Sequence, residues 1–366
     1  MKKIIINGAN GYVASNFIRR LLEQNNRVTA LVRSNGTDSA YERMTGALRH
    51  NTYGDYLNTR NLEVIDYDLS ADHFAIPEDQ LKQIFSGETD YYHFAASLKY
   101  DLRSKEEIFR TNLEGMKNSL KIYSQYAGPA SRFFFISTAY SCGHTQEVFR
   151  EEFYENADIS HFRNYYEQSK RFAENVVREF IEEKNIRVHI LRMSQVVGES
   201  RTGITKTDYG IFDFAKRVNS LSVRYPGHTI RLQVDPDSTQ NLIPIDTVVY
   251  YLMRTVEMQT LPVIMNMVAR RSVKNISIIN SLCQLLPIDI VPVETLEKNE
   301  MTALERIIAS GMSFTGNYVH TNIHFDTSRL QELGIPEGAE IDDETVFKML
   351  RYFLRELKAR KGAAVA

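Results

Sequence analysis

Short apolar runs alternate with amphipathic helical stretches through roughly the first 195 residues of the chain. The apolar runs, which we interpret as β-strands, cover residues 3–7, 27–33, 62–67, 91–95, 132–136 and 188–192. The clearest helical stretch runs from about residue 104 to 126 and ends at Gly128-Pro129, where glycine allows a left-handed cap and proline stops the helix. Strands that alternate with helices predict βαβ units and a parallel sheet.

Beyond about residue 198 the alternation weakens into loops, helices and isolated strands at residues 229–234 and 263–268. A last helix, from about residue 343 to 359, is acidic at its start and basic at its end, as the helix dipole favours. We therefore predict an α/β fold with a doubly wound parallel sheet in residues 1–197. A smaller substrate-binding lobe in residues 198–366 follows, with some segments returning to the first domain.

Composition excludes several classes of protein. The net charge of −2 argues against a nucleic-acid binder, which needs a basic surface. No apolar run of about 18 residues or more occurs, so no membrane span is predicted. Cys142 and Cys283 are too few for a disulfide framework and lack metal-ligand spacing, so we expect a reducing cytoplasm and no metal site.

A glycine-rich turn, GANGYVA, follows the first strand and precedes an amphipathic helix. Its two glycines allow a tight turn and close approach to a pyrophosphate, while the helix N-terminus supplies N–H groups and positive potential. This context predicts a dinucleotide site in a Rossmann-type fold. The residues predicted to form it are Gly8, Asn10, Gly11, Tyr12, Val13 and Ala14.

The end of the second strand indicates which dinucleotide is bound. An acidic residue at this position would bind the ribose 2′-hydroxyl, whereas a basic residue accommodates a 2′-phosphate. The chain has Arg33 and Ser34 here, with no Asp or Glu, so NADPH is favoured over NADH. At the end of the third strand, Asp68 is placed to accept from the adenine amino group and Leu69 to pack on the ring.

Tyr166 and Lys170 lie four residues apart on a predicted helix between the fifth and sixth strands. This spacing puts both on one helix face, where the ammonium can lower the pKa of the phenol and hydrogen-bond the nicotinamide ribose. Tyr166 is then the proposed general acid for a carbonyl oxygen. Neighbouring Tyr165 has no lysine four residues later.

An ordered set of sequence blocks resembles the extended short-chain dehydrogenase/reductases. The blocks are GANGYVA at Gly8, YDL at Tyr67, HFAA at His93, TNLEG at Thr111, ISTAYSCG at Ile136, YEQSK at Tyr166, LRMSQVVG at Leu191 and NLIPID at Asn241. GESRTG at Gly198, NLIPID and STAY are more similar to the fatty acyl and thioester reductase branch than to the sugar-nucleotide epimerases.

The resemblance implies further site residues. Thr138 matches the catalytic Ser/Thr, with Ser137 as its nearest rival. Asn112 lies mid-helix, where its side chain or a local backbone break can hold a water for proton relay to Lys170. Met193 stands where many members have proline, which alters the loop at the carboxamide end of the nicotinamide. The resemblance also implies a homodimer formed through the Tyr/Lys helix and its predecessor. The remaining implied cofactor contacts are Ala95, Ala96, Met193 and Val196.

The predicted function is NADPH-dependent reduction of an aldehyde, ketone or acyl thioester. A nucleotide-sugar epimerase or dehydratase is the alternative, and a non-catalytic NADP(H) sensor is a third possibility from another class. A basic stretch is either a solvated face or a contact for coenzyme A or a phosphopantetheine arm; it comprises Arg201, Lys206, Lys216, Arg217 and Arg224. No motif places a base near Cys142, so it is not predicted to be a nucleophile, and His144 is interpreted as a solvated loop residue.

Overall fold

A computed structural model describes residues 3–51, 57–311, 315–336 and 338–363. Its strands, in chain order, are β1 (Lys3–Asn7), β2 (Arg27–Val32), β3 (Leu62–Asp66), β4 (Thr89–His93), β5 (Arg132–Thr138), β6 (Val188–Met193), β7 (Gln195–Val197), β8 (His228–Gln233), β9 (Thr239–Gln240), β10 (Leu242–Pro244), β11 (Ile264–Met267), β12 (Val273–Lys274) and β13 (Ile288–Val293). Its α-helices are α1 (Tyr12–Glu23), α2 (Ala40–Asn51), α3 (Glu78–Ile84), α4 (Lys105–Phe109), α5 (Gly115–Tyr126), α6 (Tyr165–Lys184), α7 (Ile211–Arg224), α8 (Ile245–Glu257), α9 (Asn275–Leu285), α10 (Ala303–Gly311), α11 (Ser328–Glu332) and α12 (Asp343–Ala363).

Seven parallel strands form the main sheet, in the order β11-β6-β5-β4-β1-β2-β3. The reversal of strand order beside β1 is that of a doubly wound fold, so the predicted fold class is confirmed. The six predicted strands are all present, with ends that differ by at most a few residues. The prediction that residues 263–268 form an isolated strand of the second lobe is wrong, because β11 pairs with β6 at the sheet edge.

Helices cover both faces of this sheet. The central strand β5 shows why: Phe133 and Phe135 face the layer of α5 and α6, and Phe134 faces the layer of α1 and α8. Since successive strand residues point to opposite faces, both faces of a central parallel strand must be apolar. The carboxyl ends of the strands are thereby held in one row, where ligands of such sheets bind.

The second lobe has a core of its own, formed by α7, α9, α10, α12 and the parallel pair of β8 and β13. Phe212 of α7, Leu282 of α9 and Leu350 of α12 are buried in it. Two short strand pairs are also present, β7 with β10 and β9 with β12, and the residues of β7 and β10 divide between this core and the core on the main sheet. The chain returns to the main sheet through α8 and β11.

Three helical predictions can be compared with the structure. The helix expected from about residue 104 to 126 is present but is interrupted by a π-helical turn at Arg110–Glu114, between α4 and α5. The enlarged connection after β2 contains α2, and residues 52–56 of it lie outside the described residues. The last helix, α12, begins at Asp343 as expected. None of the helices in the described ranges is long and apolar enough to cross a membrane.

Candidate active site

The turn after β1 brings its backbone against the segment that follows β4. Gly8 has a φ of 59°, and a Cβ on it would lie 2.7 Å from the backbone nitrogen of Ala95, so only glycine fits. α1 then begins at Tyr12, and the N-cap residue, Gly11, has no capping side chain. No acidic residue lies in the first turn of α1. The positive end of this helix therefore faces the turn and fits a dinucleotide pyrophosphate.

The other residues predicted for this turn divide by burial. Ala14 is buried against the sheet and lets α1 pack closely on it, whereas Asn10 and Val13 are half-buried at the turn. The hydroxyl of Tyr12 donates to the carbonyl of Val197 at 3.0 Å, so its side chain ties the turn to β7.

Asn7 and His93 fix this turn, and sequence reasoning missed both as site residues. Asn7 Nδ2 donates to His93 Nδ1 at 2.9 Å, while Asn7 Oδ1 accepts from the backbone nitrogens of Phe94 and Ala95 at 2.9 and 3.0 Å. Burial, and next the charge of Lys170, lowers the pKa of His93 to about 3, so the ring is neutral and can accept. The ends of β1 and β4 are thus locked together. The sequence signal for them was a polar residue at the end of each of two apolar strands, Asn7 in β1 and His93 in β4.

Two guanidinium groups lie at the end of β2. Arg33 is exposed, and Arg43 of α2 donates through Nη1 to the carbonyl of Arg33. The next backbone nitrogen, that of Ser34, donates to Asp66 Oδ1 at 2.9 Å, which lowers the pKa of Asp66. Arg43 was not predicted from the sequence, because it lies ten residues beyond the strand end.

The segment after β3 is held on α5. Leu69 packs on Gly115, where a Cβ would approach Leu69 Cδ2 to 2.6 Å, and Asn118 Nδ2 donates to the carbonyl of Leu69 at 2.8 Å. The carboxylate of Asp68 accepts from the Ser70 hydroxyl and backbone nitrogen, which lowers the pKa of Asp68. The positive charge of Arg33 lowers this pKa further.

The structure separates the two hydroxyls at the end of β5. Thr138 Oγ1 accepts from the backbone nitrogen of Tyr140 at 3.2 Å and donates to the carbonyl of Met193 at 3.3 Å, at the carboxyl edge of the sheet. Ser137 instead donates to Glu174 Oε1 at 2.6 Å inside the protein. Since its one proton is held by a buried carboxylate, Ser137 is not placed for a substrate oxygen.

Glu174 belongs to a buried ion pair below the site. Arg192 of β6 contacts it through Nε at 3.0 Å and Nη2 at 2.7 Å, and both side chains are at most 1% exposed. The guanidinium also donates to the carbonyls of Arg150 and Glu152. This pair joins α6 to the ends of β5 and β6, the elements that carry the predicted catalytic residues.

Tyr166 and Lys170 are in the first two turns of α6, between β5 and β6, as expected. Lys170 Nζ lies 6.0 Å from the centroid of the Tyr166 ring and donates to the carbonyl of Ile136 at 2.8 Å. Burial lowers the pKa of Lys170 to about 7, with Glu174 opposing the shift. Burial, and next the charge of Glu167, raises the pKa of Tyr166. This direction is opposite to the expected one, because burial disfavours the charged phenolate.

Asn112 lies in the π-helical turn and is buried. Its Oδ1 accepts from the backbone nitrogen of Ser97 at 2.7 Å, and its Nδ2 donates to Ser169 Oγ at 2.9 Å and to the carbonyl of Ser97 at 3.1 Å. The side chain therefore joins the segment after β4 to the residue preceding Lys170. The π-helical turn is the local backbone break considered for this position, and such turns are frequent at functional sites.

The implied cofactor contacts follow the strand ends. Ala95 is buried beside Gly8, and Ala96 is half-buried after it. Met193, the last residue of β6, is buried, and Val196 of β7 is half-buried. All four lie at the carboxyl edge of the sheet.

Burial acts against activation of Cys142, one of the two candidates that sequence reasoning set aside, and outweighs the nearby charges of Arg163 and Arg171, which lower the pKa of its thiol. Cys142 is buried, which raises the pKa of its thiol to about 12, and its Sγ donates to the carbonyl of Gly143. Burial and the charge of Arg163 lower the pKa of His144. A thiol of this kind is a poor nucleophile.

The model of the family described as male sterility protein, an NAD-binding family, matches residues 6–252. The chain belongs to the male sterility protein family. The predicted resemblance to the extended short-chain dehydrogenase/reductases and their thioester reductase branch is thereby confirmed at the level of family and fold.

Relatives of this family member include parts of much longer enzymes. The nonribosomal peptide synthetase asaC of Aspergillus flavus is 25% identical over 67% of the chain, and the L-2-aminoadipate reductase large subunit of Penicillium chrysogenum is 25% identical over 69% of it. The matches cover only 24% and 18% of those proteins, so the chain spans about a quarter or less of their length.

Solved structures with the same fold include reductase domains and epimerases. The terminal R domain of the myxalamid PKS-NRPS pathway superposes with a TM-score of 0.76 at 18% identity, covering 97% of this chain and 91% of that domain. A thiolation-reductase di-domain from an archaeal nonribosomal peptide synthetase gives 0.74 at 18% identity, covering 98% and 76%. UDP-glucuronic acid 4-epimerase from Bacillus cereus gives 0.67 at 14% identity, covering 97% and 99%.

Proposed function

We propose that this chain reduces an acyl thioester with NADPH and that Tyr166 is the general acid. The observation that carries the proposal is the placement of Tyr166 and Lys170 one turn apart on α6, beside the end of β5 where Thr138 lies. The likeness to a reductase domain that adjoins a thiolation domain supports a thioester rather than a ketone.

The residues of the chain account for the proton in this reaction. NADPH, when bound, supplies the hydride that the carbonyl carbon accepts. Tyr166 gives its proton to the carbonyl oxygen, and its raised pKa keeps it protonated until then. The Thr138 hydroxyl, whose one proton is donated at 3.3 Å to the carbonyl of Met193, would turn that proton to the same oxygen when substrate binds. The thiohemiacetal so formed releases a thiol and leaves an aldehyde, so one hydride and one proton are consumed for each thioester.

Lys170 and Asn112 serve the return of the proton. The ammonium of Lys170 lies on the same face of α6 as the Tyr166 ring and can return a proton to the phenolate through a hydroxyl or a water. The side chain of Asn112 is already hydrogen-bonded to Ser97 and Ser169. We therefore propose that backbone carbonyls of the π-helical turn, where the regular helical hydrogen bonding is interrupted, hold the water of the relay.

The preference for NADPH rests on the end of β2. Arg33 is exposed there, Arg43 is hydrogen-bonded to its carbonyl, and no carboxylate occupies the last positions of the strand. Two guanidinium groups beside the adenosine ribose would bind a 2′-phosphate, because the planar guanidinium can donate two parallel hydrogen bonds to phosphate oxygens. The 2′-hydroxyl of NADH carries no charge for them to neutralise.

A contact for the phosphate of the thioester carrier is proposed at Lys206. Three of the other basic residues of this stretch are paired: Arg201 with Glu199, Lys216 with Asp208 and Arg217 with Asp213. Lys206 Nζ is buried without a hydrogen-bond partner in the described residues. Burial, and next the charge of Arg360, lowers the pKa of Lys206 to about 7. A phosphate of coenzyme A or of a phosphopantetheine arm at this position would favour the charged form of Lys206 and so raise its pKa again.

The proposal is tested by following NADPH oxidation with octanoyl-CoA, octanal and a ketone of similar length. We expect oxidation with octanoyl-CoA, its loss by about a hundredfold or more in Tyr166→Phe, and a near-normal rate in Tyr165→Phe, the matched neighbour without a lysine partner. Conversion of a nucleotide sugar without net oxidation of NADPH would instead support the epimerase alternative, since the epimerase structures share the fold. NADPH binding without turnover of any carbonyl would refute the proposed reaction.

A further inference from the structure

Glu167 is a buried carboxylate immediately after Tyr166, with no part in the reaction proposed above. It is 0% exposed. Its Oε1 accepts from the hydroxyl of Tyr318 at 2.6 Å, and its Oε2 accepts from the backbone nitrogen of Arg163 at 3.1 Å and lies 3.4 Å from Arg163 Nη1. Burying a carboxylate is costly unless several donors satisfy it, and here three donors do.

Tyr318 reaches this carboxylate from the second lobe. It closes the turn Thr315–Tyr318, and the next residue, Val319, is buried in the core of that lobe. The Tyr318 hydroxyl accepts from Asn164 Nδ2 at 3.0 Å while it donates to Glu167. Since Asn164 is the N-cap of α6, with Oδ1 accepting from the backbone nitrogen of Glu167, one hydroxyl is bonded to both ends of the first helical turn.

The ring of Tyr318 also contacts the segment after Thr138. It packs edge-on against Tyr140 with 5.2 Å between ring centroids, and the guanidinium carbon of Arg163 lies over the Tyr318 ring, 5.2 Å from its centroid. Tyr140 in turn is two residues beyond Thr138 and donates its backbone nitrogen to Thr138 Oγ1. The side chain of Tyr318 therefore contacts both elements that carry the proposed acid and the proposed second donor.

Electrostatics add a second effect of the same carboxylate. The negative charge of Glu167 raises the pKa of Tyr166, after burial as the larger cause. The charged and titratable groups that face Tyr166 and Glu167 in the described residues come from α6, the segment after β5 and the second lobe. They are Lys170, Arg163, Tyr140, Cys142 and Tyr318.

We infer that Glu167 and Tyr318 are positioning residues, through which the second lobe holds Tyr166 in place. The charge of Glu167 acts on the same phenol, since it raises the pKa that burial has already raised. The inference rests on the proposed role of Tyr166. It gives the contact between the lobes a function, because displacement of the Thr315–Tyr318 turn would loosen the first turn of α6 and the segment after β5 together.

The test compares Glu167→Gln and Tyr318→Phe with two matched controls. Glu151→Gln removes the charge of a carboxylate elsewhere in the protein, which is half-buried and accepts from the backbone nitrogens of Asn266 and Arg329. Tyr225→Phe removes a hydroxyl of the second lobe that contacts neither α6 nor the end of β5 in the described contacts. The pKa of Tyr166 is measured from the tyrosinate absorbance that disappears in Tyr166→Phe, with and without NADP⁺, and the pH dependence of octanoyl-CoA reduction is measured beside it.

We expect Glu167→Gln to lower the pKa of Tyr166, so that its tyrosinate absorbance appears at lower pH than in the parent protein, and to leave in place the limb of the rate near pH 7 that belongs to Lys170. Tyr318→Phe lowers kcat about tenfold and leaves the KM for NADPH within about twofold. The controls change neither quantity. An unshifted Tyr166 titration in Glu167→Gln overturns the inference. An unchanged kcat in Tyr318→Phe also overturns it. If Glu167→Gln does not fold, the result with Tyr318→Phe decides. If the parent protein reduces no probe, the proposed function fails, and the tyrosinate titration alone decides this inference.

Discussion

Replacement of Arg192 by methionine should destabilise the protein strongly, because it leaves the buried carboxylate of Glu174 without its hydrogen-bonded cation. The two side chains are 0% and 1% exposed and are joined by two hydrogen bonds of 3.0 and 2.7 Å. Without the guanidinium, the hydrogen-bond donors that remain to the carboxylate among the described residues are the hydroxyls of Ser137 and Ser141. The carbonyls of Arg150 and Glu152 also lose the donor that Arg192 gives them.

The magnitude follows from breaking a buried ion pair on one side only. Such changes cost about 3–5 kcal/mol. Replacing both partners removes the buried charge, so Arg192→Met combined with Glu174→Leu should cost less than the sum of the single changes by at least about 2 kcal/mol. The exposed pair of Arg19 and Glu23 on α1, with side chains 34% and 33% exposed at 3.1 Å, is the matched control. Arg19→Met should cost less than about 1 kcal/mol.

The assay is urea unfolding of the cofactor-free protein, followed by circular dichroism, for the two single variants, the double variant and Arg19→Met. The free energy of unfolding is compared at a common urea concentration near the midpoints, to limit extrapolation. A loss in Arg192→Met no larger than that in Arg19→Met would refute the reasoning. Strict additivity in the double variant would do so as well, since it would mean that the two side chains do not stabilise each other.

Three further predictions concern substrates and pH. Arg33→Asp should raise the KM for NADPH at least about tenfold while NADH is little affected, and Arg43→Ala should do the same more weakly; an unchanged ratio would remove both from the cofactor site. Lys206→Gln should raise the KM for octanoyl-CoA about tenfold and leave that for octanal unchanged. Because the pKa of Lys206 is lowered to about 7, its charge is present below that pH, and the affinity for octanoyl-CoA should fall as the pH rises above it. Lys170, whose pKa is also about 7, is charged below that pH, so kcat/KM for NADPH should fall as the pH rises above it. Lys170→Arg keeps the charge and should abolish this fall. A fall that persists in that variant belongs to another group.

Much of the main sheet was predictable from the sequence, because parallel strands covered on both faces are continuous apolar runs. β11 shows the limit of this reasoning. Its four residues are all buried, yet the run follows α8 and a loop in a part of the chain without βαβ alternation. Only tertiary packing determines that it pairs with β6 instead of with a strand of the second lobe.

The candidate site divides in a similar way. The residues of the glycine turn and the Tyr/Lys pair stand in patterns whose spacing has a local physical reason, so the sequence reveals them. Glu167 and Tyr318 are 151 residues apart in the chain and meet only after the second lobe has packed on α6. The direction of the pKa of Tyr166 was missed for the same reason, since burial cannot be deduced from the spacing to Lys170.

The central claim is that Tyr166 gives a proton to a substrate carbonyl while that carbonyl accepts hydride from NADPH. The most direct measurement uses NADPH deuterated at the hydride position of the nicotinamide, with octanoyl-CoA as substrate and mass spectrometry of the product. We predict deuterium on the carbonyl carbon of the octanal formed, with free coenzyme A in equal amount, and almost no labelled product from Tyr166→Phe. Product without deuterium, or labelling at the same rate in Tyr166→Phe, would contradict the account.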